Sequence, residues 1–245
     1  MRIAVFKSER EASVALARRV ATDLAASPEI VLGLPTGRTP IHMYRELVKL
    51  HGRGVADFSR ATTFNLDEFL GVAPSHPGSY RSYMESHLFA HVNLPPVQIH
   101  FLNGATADPN GECERYESQI EAAGGIDLQI LGLGTNGHIG FNEPARALEP
   151  RTHRVTLKPS TRKSNASLFG GDPDAVPREA LSMGMATIMR ARAVVLLATG
   201  KSKASCIAKI VNGPITTRLP ASCLQLHPNA ELMLDEAAAS RMSVR

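Results

Sequence analysis

Four loops hold the side chains that could do chemistry, and each follows a short apolar run. The first, Leu34-Pro35-Thr36-Gly37-Arg38-Thr39-Pro40, sets hydroxyls, a glycine and a cation just ahead of a helical pattern. Free amides and the positive end of a helix dipole make such a turn an anion site, and Gly37 would let an oxyanion approach the backbone. A capped turn without a ligand accounts for that loop equally well on its own. The second, Phe64-Asn65-Leu66-Asp67-Glu68-Phe69, ends a strand with two carboxylates, which more often cap a following helix than do chemistry. The third spans residues 132–144 and holds His138 and Glu143 among glycines. Imidazole moves protons at neutral pH, and a nearby carboxylate orients it and supports its charged form. A lone histidine is usually a plain surface or core residue, but His138 sits between Gly137 and Gly140 with no helical apolar face to belong to. The fourth, Thr199-Gly200-Lys201-Ser202-Lys203-Ala204, sets Lys203 beside backbone amides at a strand end. Their convergence favours a proton-transfer site for an anionic small molecule.

Two nucleotide motifs are imitated and fail. Gly132, Gly134 and Gly137 spell G-x-G-x-x-G, but that fingerprint opens a helix and needs an acidic residue about 20 positions on. Here Pro144 interrupts early and residues 155–158 offer no carboxylate. Gly200-Lys201-Ser202 resembles the end of a Walker A loop, with Val195 where its first glycine belongs.

Composition narrows the class further. The chain has 245 residues, 43% of them hydrophobic and 20% charged, enough for a proper core and unlike a disordered chain. Its net charge of +4 is spread along the sequence, with no basic run and no Trp. A nucleic-acid footprint would be clustered, so no nucleic-acid partner is expected. Cys113, Cys206 and Cys223 form no C-x-x-C, and the nine histidines form no H-E-x-x-H, so neither metal nor other cofactor is expected. The N-terminal apolar stretch is too short for a signal peptide, and no run approaches the roughly 20 apolar residues of a membrane span. The expected setting is cytoplasmic, with no membrane partner.

Strands alternate with helices to position these loops. Apolar runs predict strands at residues 3–6, 29–34, 61–66, 98–102, 127–133, 194–197 and 231–234. Helical spacing marks residues 12–24, a helix from Pro40 with Thr39 as its cap, then 80–89, a helix through Cys113, Tyr116 and Ile120, residues 178–189, and one carrying Ala204, Ile207 and Val211. Residues 145–177, roughly, are polar and read as an exposed flap, with a strand at 153–157 and a short helix near 163–168. The pattern predicts one α/β domain over residues 1–245, an open, mostly parallel, Rossmann-like sheet with helices on both faces and a flap over the site. In such sheets chemistry sits at the carboxyl ends of the strands.

Together the loops resemble the glucosamine-6-phosphate deaminase (isomerase) family along nearly the whole chain. The resemblance rests on Leu34-Pro35-Thr36-Gly37, Asn65-Leu66-Asp67-Glu68-Phe69, Gly137-His138-Ile139-Gly140-Phe141-Asn142-Glu143-Pro144 and Ser222-Cys223-Leu224-Gln225-Leu226-His227-Pro228. The related 6-phosphogluconolactonases typically show D-E-R and a G-H-x-A-S-L-F-P-like run, absent here. The resemblance implies a metal-free conversion of glucosamine 6-phosphate and water to fructose 6-phosphate and ammonia. It implies that His138 opens the sugar ring, that Glu143 and Asn136 hold His138 in its working tautomer, and that Asp67 removes the C2 proton. The phosphate would lie on Thr36, Gly37, Arg38, Thr39 and Gly137, with Lys203 as counter-charge. Galactosamine 6-phosphate remains an alternative substrate, and a lactonase or a non-catalytic sugar-phosphate sensor are weaker ones. Relatives range from monomers to hexamers, which leaves a homo-oligomer open.

Three departures from the family pattern stand out. Asn136 occupies a position that is Asp in some relatives. Ser167 stands where the family commonly has a phosphate-contacting Arg, while Arg38 lies inside the phosphate loop where relatives have a small residue. His153 and Val155 fall near the positions of basic effector-binding residues, and the chain stops at Arg245, so no activation by N-acetylglucosamine 6-phosphate is expected.

Overall fold

The computed structural model describes residues 1–242; the last three positions of the expected 1–245 domain lie outside the described residues. Its elements run β1 (Arg2–Phe6), α1 (Glu9–Ala26), β2 (Val31–Leu34), α2 (Ile41–Gly52), β3 (Thr62–Asn65), β4 (Asp67–Phe69), α3 (Tyr80–His87), β5 (Ile99–His100), α4 (Pro109–Ala122), β6 (Leu128–Gly132), β7 (His153–Thr156), α5 (Pro159–Asn165), β8 (Glu179–Ser182), α6 (Met185–Met189), β9 (Ala193–Ala198), α7 (Ala204–Asn212), β10 (Ala230–Asp235) and α8 (Glu236–Ala239). Helix starts follow side-chain capping: Ser8, Ser79, Asp108 and Asp235 each accept an amide of the first turn of α1, α3, α4 and α8.

Seven strands form a parallel sheet in the order β1-β10-β9-β6-β2-β3-β5. From β2 the chain steps outward to β3 and β5, then returns to β6 on the other side of β2. The order therefore reverses between β2 and β6, and the crevice at their carboxyl ends is where α/β sheets of this kind bind ligands. Both sheet faces are apolar, as strands covered on each side must be. Val194, Leu196 and Ala198 of β9 pack into one core with α4, α6 and α7, whereas Ala193, Val195 and Leu197 pack into the other with α1, α2 and α3.

A second sheet stands at the crevice. It is antiparallel, in the order β4-β8-β7. Leu66 joins the two: its amide donates to Leu34 O at 3.2 Å, while its carbonyl accepts from Met183 N at 2.8 Å. Asp67 is thus the first residue past the parallel sheet. Glu117 of α4, itself buried, anchors β7 from below. It accepts from the Thr152 amide, the Thr152 hydroxyl and the Thr187 hydroxyl, each at 2.6 Å.

Two local expectations are corrected. Residues 178–189 are not one helix: β8 comes first, because residues 179–182 find partners in both β4 and β7, and long-range pairing overrides helical apolar spacing. Gly184 then turns the chain where a Cβ would lie 2.2 Å from Arg151 O. Nor does Thr39 cap α2. Pro40 takes that position with no side-chain cap, and the Ile41 amide turns back to Arg38 O at 3.4 Å. Among the described residues no helix is long and apolar enough to cross a membrane.

Replacing Glu117 by Ala strips three buried donors of their acceptor. Urea unfolding of Glu117→Ala is expected to show a loss of about 2–4 kcal/mol; stability equal to the wild type would contradict the anchoring role.

Candidate functional site

A cavity of about 570 Å³ opens at the carboxyl ends of β2, β3, β6 and β9, bordered by α5 and the 3-10 turn Ala166–Phe169 that follows it. Asp67, His138, Thr36, Gly37, Arg38, Thr39 and Lys203 all line it. A depression of about 590 Å³ at the amino ends of the strands is rimmed by the ion pairs Arg60–Glu29 and Arg192–Asp127. None of the four chemical loops reaches it.

The acidic pair divides into two roles. Glu68 is a cap: its carboxylate accepts the amides of Phe69, Tyr80 and Arg81 at 2.9 Å each, closing the start of α3. Burial pushes its pKa up to about 7 against the pull of those three amides. Strand alternation turns Asp67 the other way, into the cavity. It is 6% exposed, and among the described residues no donor or cation pairs with it. Burial, with the Glu68 charge adding to it, pushes Asp67 up to about 8. An acid so placed holds its proton until a cation arrives.

His138 and Glu143 form the opposite case, a buried carboxylate with partners on both oxygens. Glu143 Oε1 accepts the Thr161 hydroxyl, and His138 Nδ1 stands 3.5 Å from it, a separation at the outer limit of a hydrogen bond. Oε2 accepts Asn136 Nδ2 at 2.7 Å, with Lys158 Nζ at 3.6 Å. Burial alone would raise its pKa, but the adjacent His138 ring, with the hydrogen bonds from Thr161 and Asn136, prevails and holds Glu143 down to about 2. Asn136 does not touch the imidazole. Its Oδ1 accepts the His138 backbone amide at 3.2 Å, so it steadies the loop and Glu143 rather than the ring. Gly134 makes room for the histidine: a Cβ there would lie 2.3 Å from the ring.

At the other end, the loop after β2 is held from beneath, with the Tyr44 hydroxyl donating to Pro35 O and the Tyr83 hydroxyl to Gly37 O, both at 2.5 Å. Lys203 closes the 3-10 turn Lys201–Lys203. Burial lowers its pKa, and the Arg38 charge adds to it. Two cations close enough to feel one another, beside Thr36 and Thr39 hydroxyls, suit a dianion. Ser167 lines the same cavity and carries no charge.

Not every expected residue meets the cavity. Asn136 and Glu143 stand behind His138. Gly137 points elsewhere: with φ +88° it makes the turn, and a Cβ would strike Leu219 and approach Cys206. Sequence reasoning misses Thr161, Tyr80 and Tyr83. Tyr80 lines the cavity and its hydroxyl donates to Asn165 Oδ1 at 3.0 Å. Their i, i+3 spacing on one helix could have marked the two tyrosines, whereas nothing in the sequence distinguishes Thr161.

Comparison with known proteins gives one family. The description "Glucosamine-6-phosphate isomerases/6-phosphogluconolactonase" matches residues 7–233. The chain is 48% identical over 240 residues to the glucosamine-6-phosphate deaminase of Halothermothrix orenii, covering 98% of this chain and 99% of that one. A solved monomeric glucosamine-6-phosphate deaminase superposes with a TM-score of 0.95 at 41% identity, over 98% of this chain and 100% of the other. A 6-phosphogluconolactonase from Trypanosoma cruzi, at 20% identity and a TM-score of 0.79 over 99% of this chain and 97% of that one, shares the fold.

The uncompensated Asp67 has a signature in stability. Its folded pKa lies above the unfolded value near 4, so its contribution is intact below pH 4 and is lost as pH rises to about 8. Asp67→Asn removes that loss. Its Tm is expected to match the wild type near pH 4 and to exceed it by several degrees or more at pH 8; a gap independent of pH would contradict the shifted carboxyl.

Proposed function

The chain belongs to the family of glucosamine-6-phosphate isomerases and 6-phosphogluconolactonases, and on that premise we propose a division of labour among its cavity residues. The activity is that of a deaminase: glucosamine 6-phosphate and water give fructose 6-phosphate and ammonia. The observation that carries the reading is one cavity lined by an unpartnered buried acid, Asp67, and by His138, which is backed by the hydrogen-bonded Glu143, next to a two-cation end.

The phosphate dianion lies on the Thr36–Thr39 loop between Arg38 and Lys203. That places the sugar between Asp67 and His138. His138 takes the proton of the anomeric hydroxyl and returns it to the ring oxygen, opening the pyranose; Glu143 stabilises the imidazolium between the two steps. The substrate's 2-ammonium then supplies Asp67 with the counter-charge that it lacks, drawing its pKa down and freeing it to act as a base. Asp67 removes the C2 proton, the electron pair moves into the C1–C2 bond, and the aldehyde oxygen takes up a proton given by the 2-ammonium, leaving a neutral enolamine. Protonation of C1 then leaves an iminium at C2. Water adds to C2 and ammonia departs, so that atoms and charge balance with proton transfers alone.

Arg38 supplies from the loop after β2 the charge that Ser167 does not supply from the flap, with the chain acting as one domain whose flap borders the substrate. The same exchange of cations favours galactosamine 6-phosphate as the one alternative substrate, since it reshapes the pocket without touching the acid–base groups.

Ammonia release from purified protein, with the two amino-sugar phosphates side by side, tests the substrate. Faster release from the glucosamine ester is expected; preference for the galactosamine ester keeps the mechanism and changes the substrate, and silence on both overturns the deaminase reading. A charged hydrogen bond contributes about 1.5–3 kcal/mol, so Arg38→Ala is expected to raise KM about 10-fold or more. An unchanged KM would remove Arg38 from the phosphate site.

A further inference from the structure

Glu143 is ionised and nearly sealed from solvent, with 8% exposure. A carboxylate in that position is stabilised further by an opposite charge that does not come and go with the imidazole. Asn136 and Thr161 are neutral donors, and His138 is neutral whenever it is ready to accept a proton. Among the described residues, the one other cation within 4 Å of Glu143 is Lys158, whose Nζ lies 3.6 Å from Oε2 and donates to Pro144 O at 3.1 Å. Lys158 sits at the start of α5, in an extended conformation ahead of Pro159. Its own carbonyl accepts the Thr161 amide, so the residues that fill Oε1 and Oε2 from the flap side are tied in one turn.

We propose that Lys158 is a positioning residue for the reaction: the standing counter-ion of Glu143, which lets that carboxylate stay charged and buried while His138 remains the neutral base. Without it, the couple must find its positive charge on the imidazole. The other charged or titratable groups nearby are placed otherwise. Asp67 approaches from β4 on the cavity side. Lys203 lines the cavity beside Cys206, and Arg162 of α5 is turned to Asp174 at 3.2 Å; Lys163 is exposed and, unlike the 44% exposed Lys158, makes no ion pair with Glu143.

The test compares Lys158→Met, Lys158→Arg and the wild type. In the Met variant the imidazolium fraction at His138 at pH 7, read by nitrogen NMR with His138→Gln to identify the resonance, is expected to rise about two- to threefold. The acid limb of kcat/KM moves up by about half a pH unit in parallel, and Lys158→Arg restores both. In a Glu143→Gln background the Lys158→Met change has no further effect, because the pair is the whole of the coupling. An imidazolium fraction unchanged by Lys158→Met would overturn the proposal, as would an equal rise in that fraction in the Glu143→Gln background. The kinetic arm rests on the ring-opening role given to His138. The NMR arm does not, and it decides the matter even if the wild type proves inactive on amino-sugar phosphates.

Discussion

Two carboxylates, equally buried and oppositely treated, govern this molecule. Glu143 has donors or a cation at both oxygens and is ionised far below neutrality; Asp67 has none among the described residues, and burial raises its pKa to about 8. A low-dielectric pocket makes that difference large, since a buried charge is tolerated only with its complement in place. On the proposed division of labour, one carboxylate steadies an imidazolium and the other waits for a cation brought by the substrate. Environment alone distributes the roles.

The backbone exists to hold these two apart on one cavity. The parallel sheet reverses its order between β2 and β6, which brings the loop after β2 and the loop after β6 to the two walls of a crevice. Leu66 then carries the chain out of the parallel sheet into the antiparallel one, delivering Asp67 to the third wall. Glu68, one residue on, points the other way and spends its charge on the start of α3. Thr161 and Lys158 come from the segment after β7, so the small sheet and α5 complete a carboxylate that belongs to the large sheet's loop.

Much of this was legible as residue order. Apolar runs such as residues 127–133 and 194–197 announce buried parallel strands, and glycines at 134, 137 and 140 announce a loop that needs unusual backbone or close packing. Asp67 and His138 were visible because a carboxylate and an imidazole gathered at strand ends, away from any apolar face, serve packing poorly and proton transfer well. What stayed hidden depends on partners far along the chain. Residues 179–182 look helical until β4 and β7 flank them, and Asn136 suggests a contact with the His138 ring until its side chain is found on Glu143 and the His138 backbone amide. That contact also accounts for the residue: a carboxylate at position 136 would stand against Glu143 Oε2, and an amide donates to it instead. Thr161 and Lys158 could not have been read at all, since neither their type nor their spacing marks them among the flap's polar residues.

The most direct test follows the proton that Asp67 is said to move. In D2O, turnover of glucosamine 6-phosphate by the wild type is expected to release ammonia and leave fructose 6-phosphate with deuterium at C1, while Asp67→Asn, folded and still binding the sugar phosphate, does neither. Ammonia release by that variant at a rate comparable to the wild type would contradict the account, because the C2 proton would then be leaving by another route.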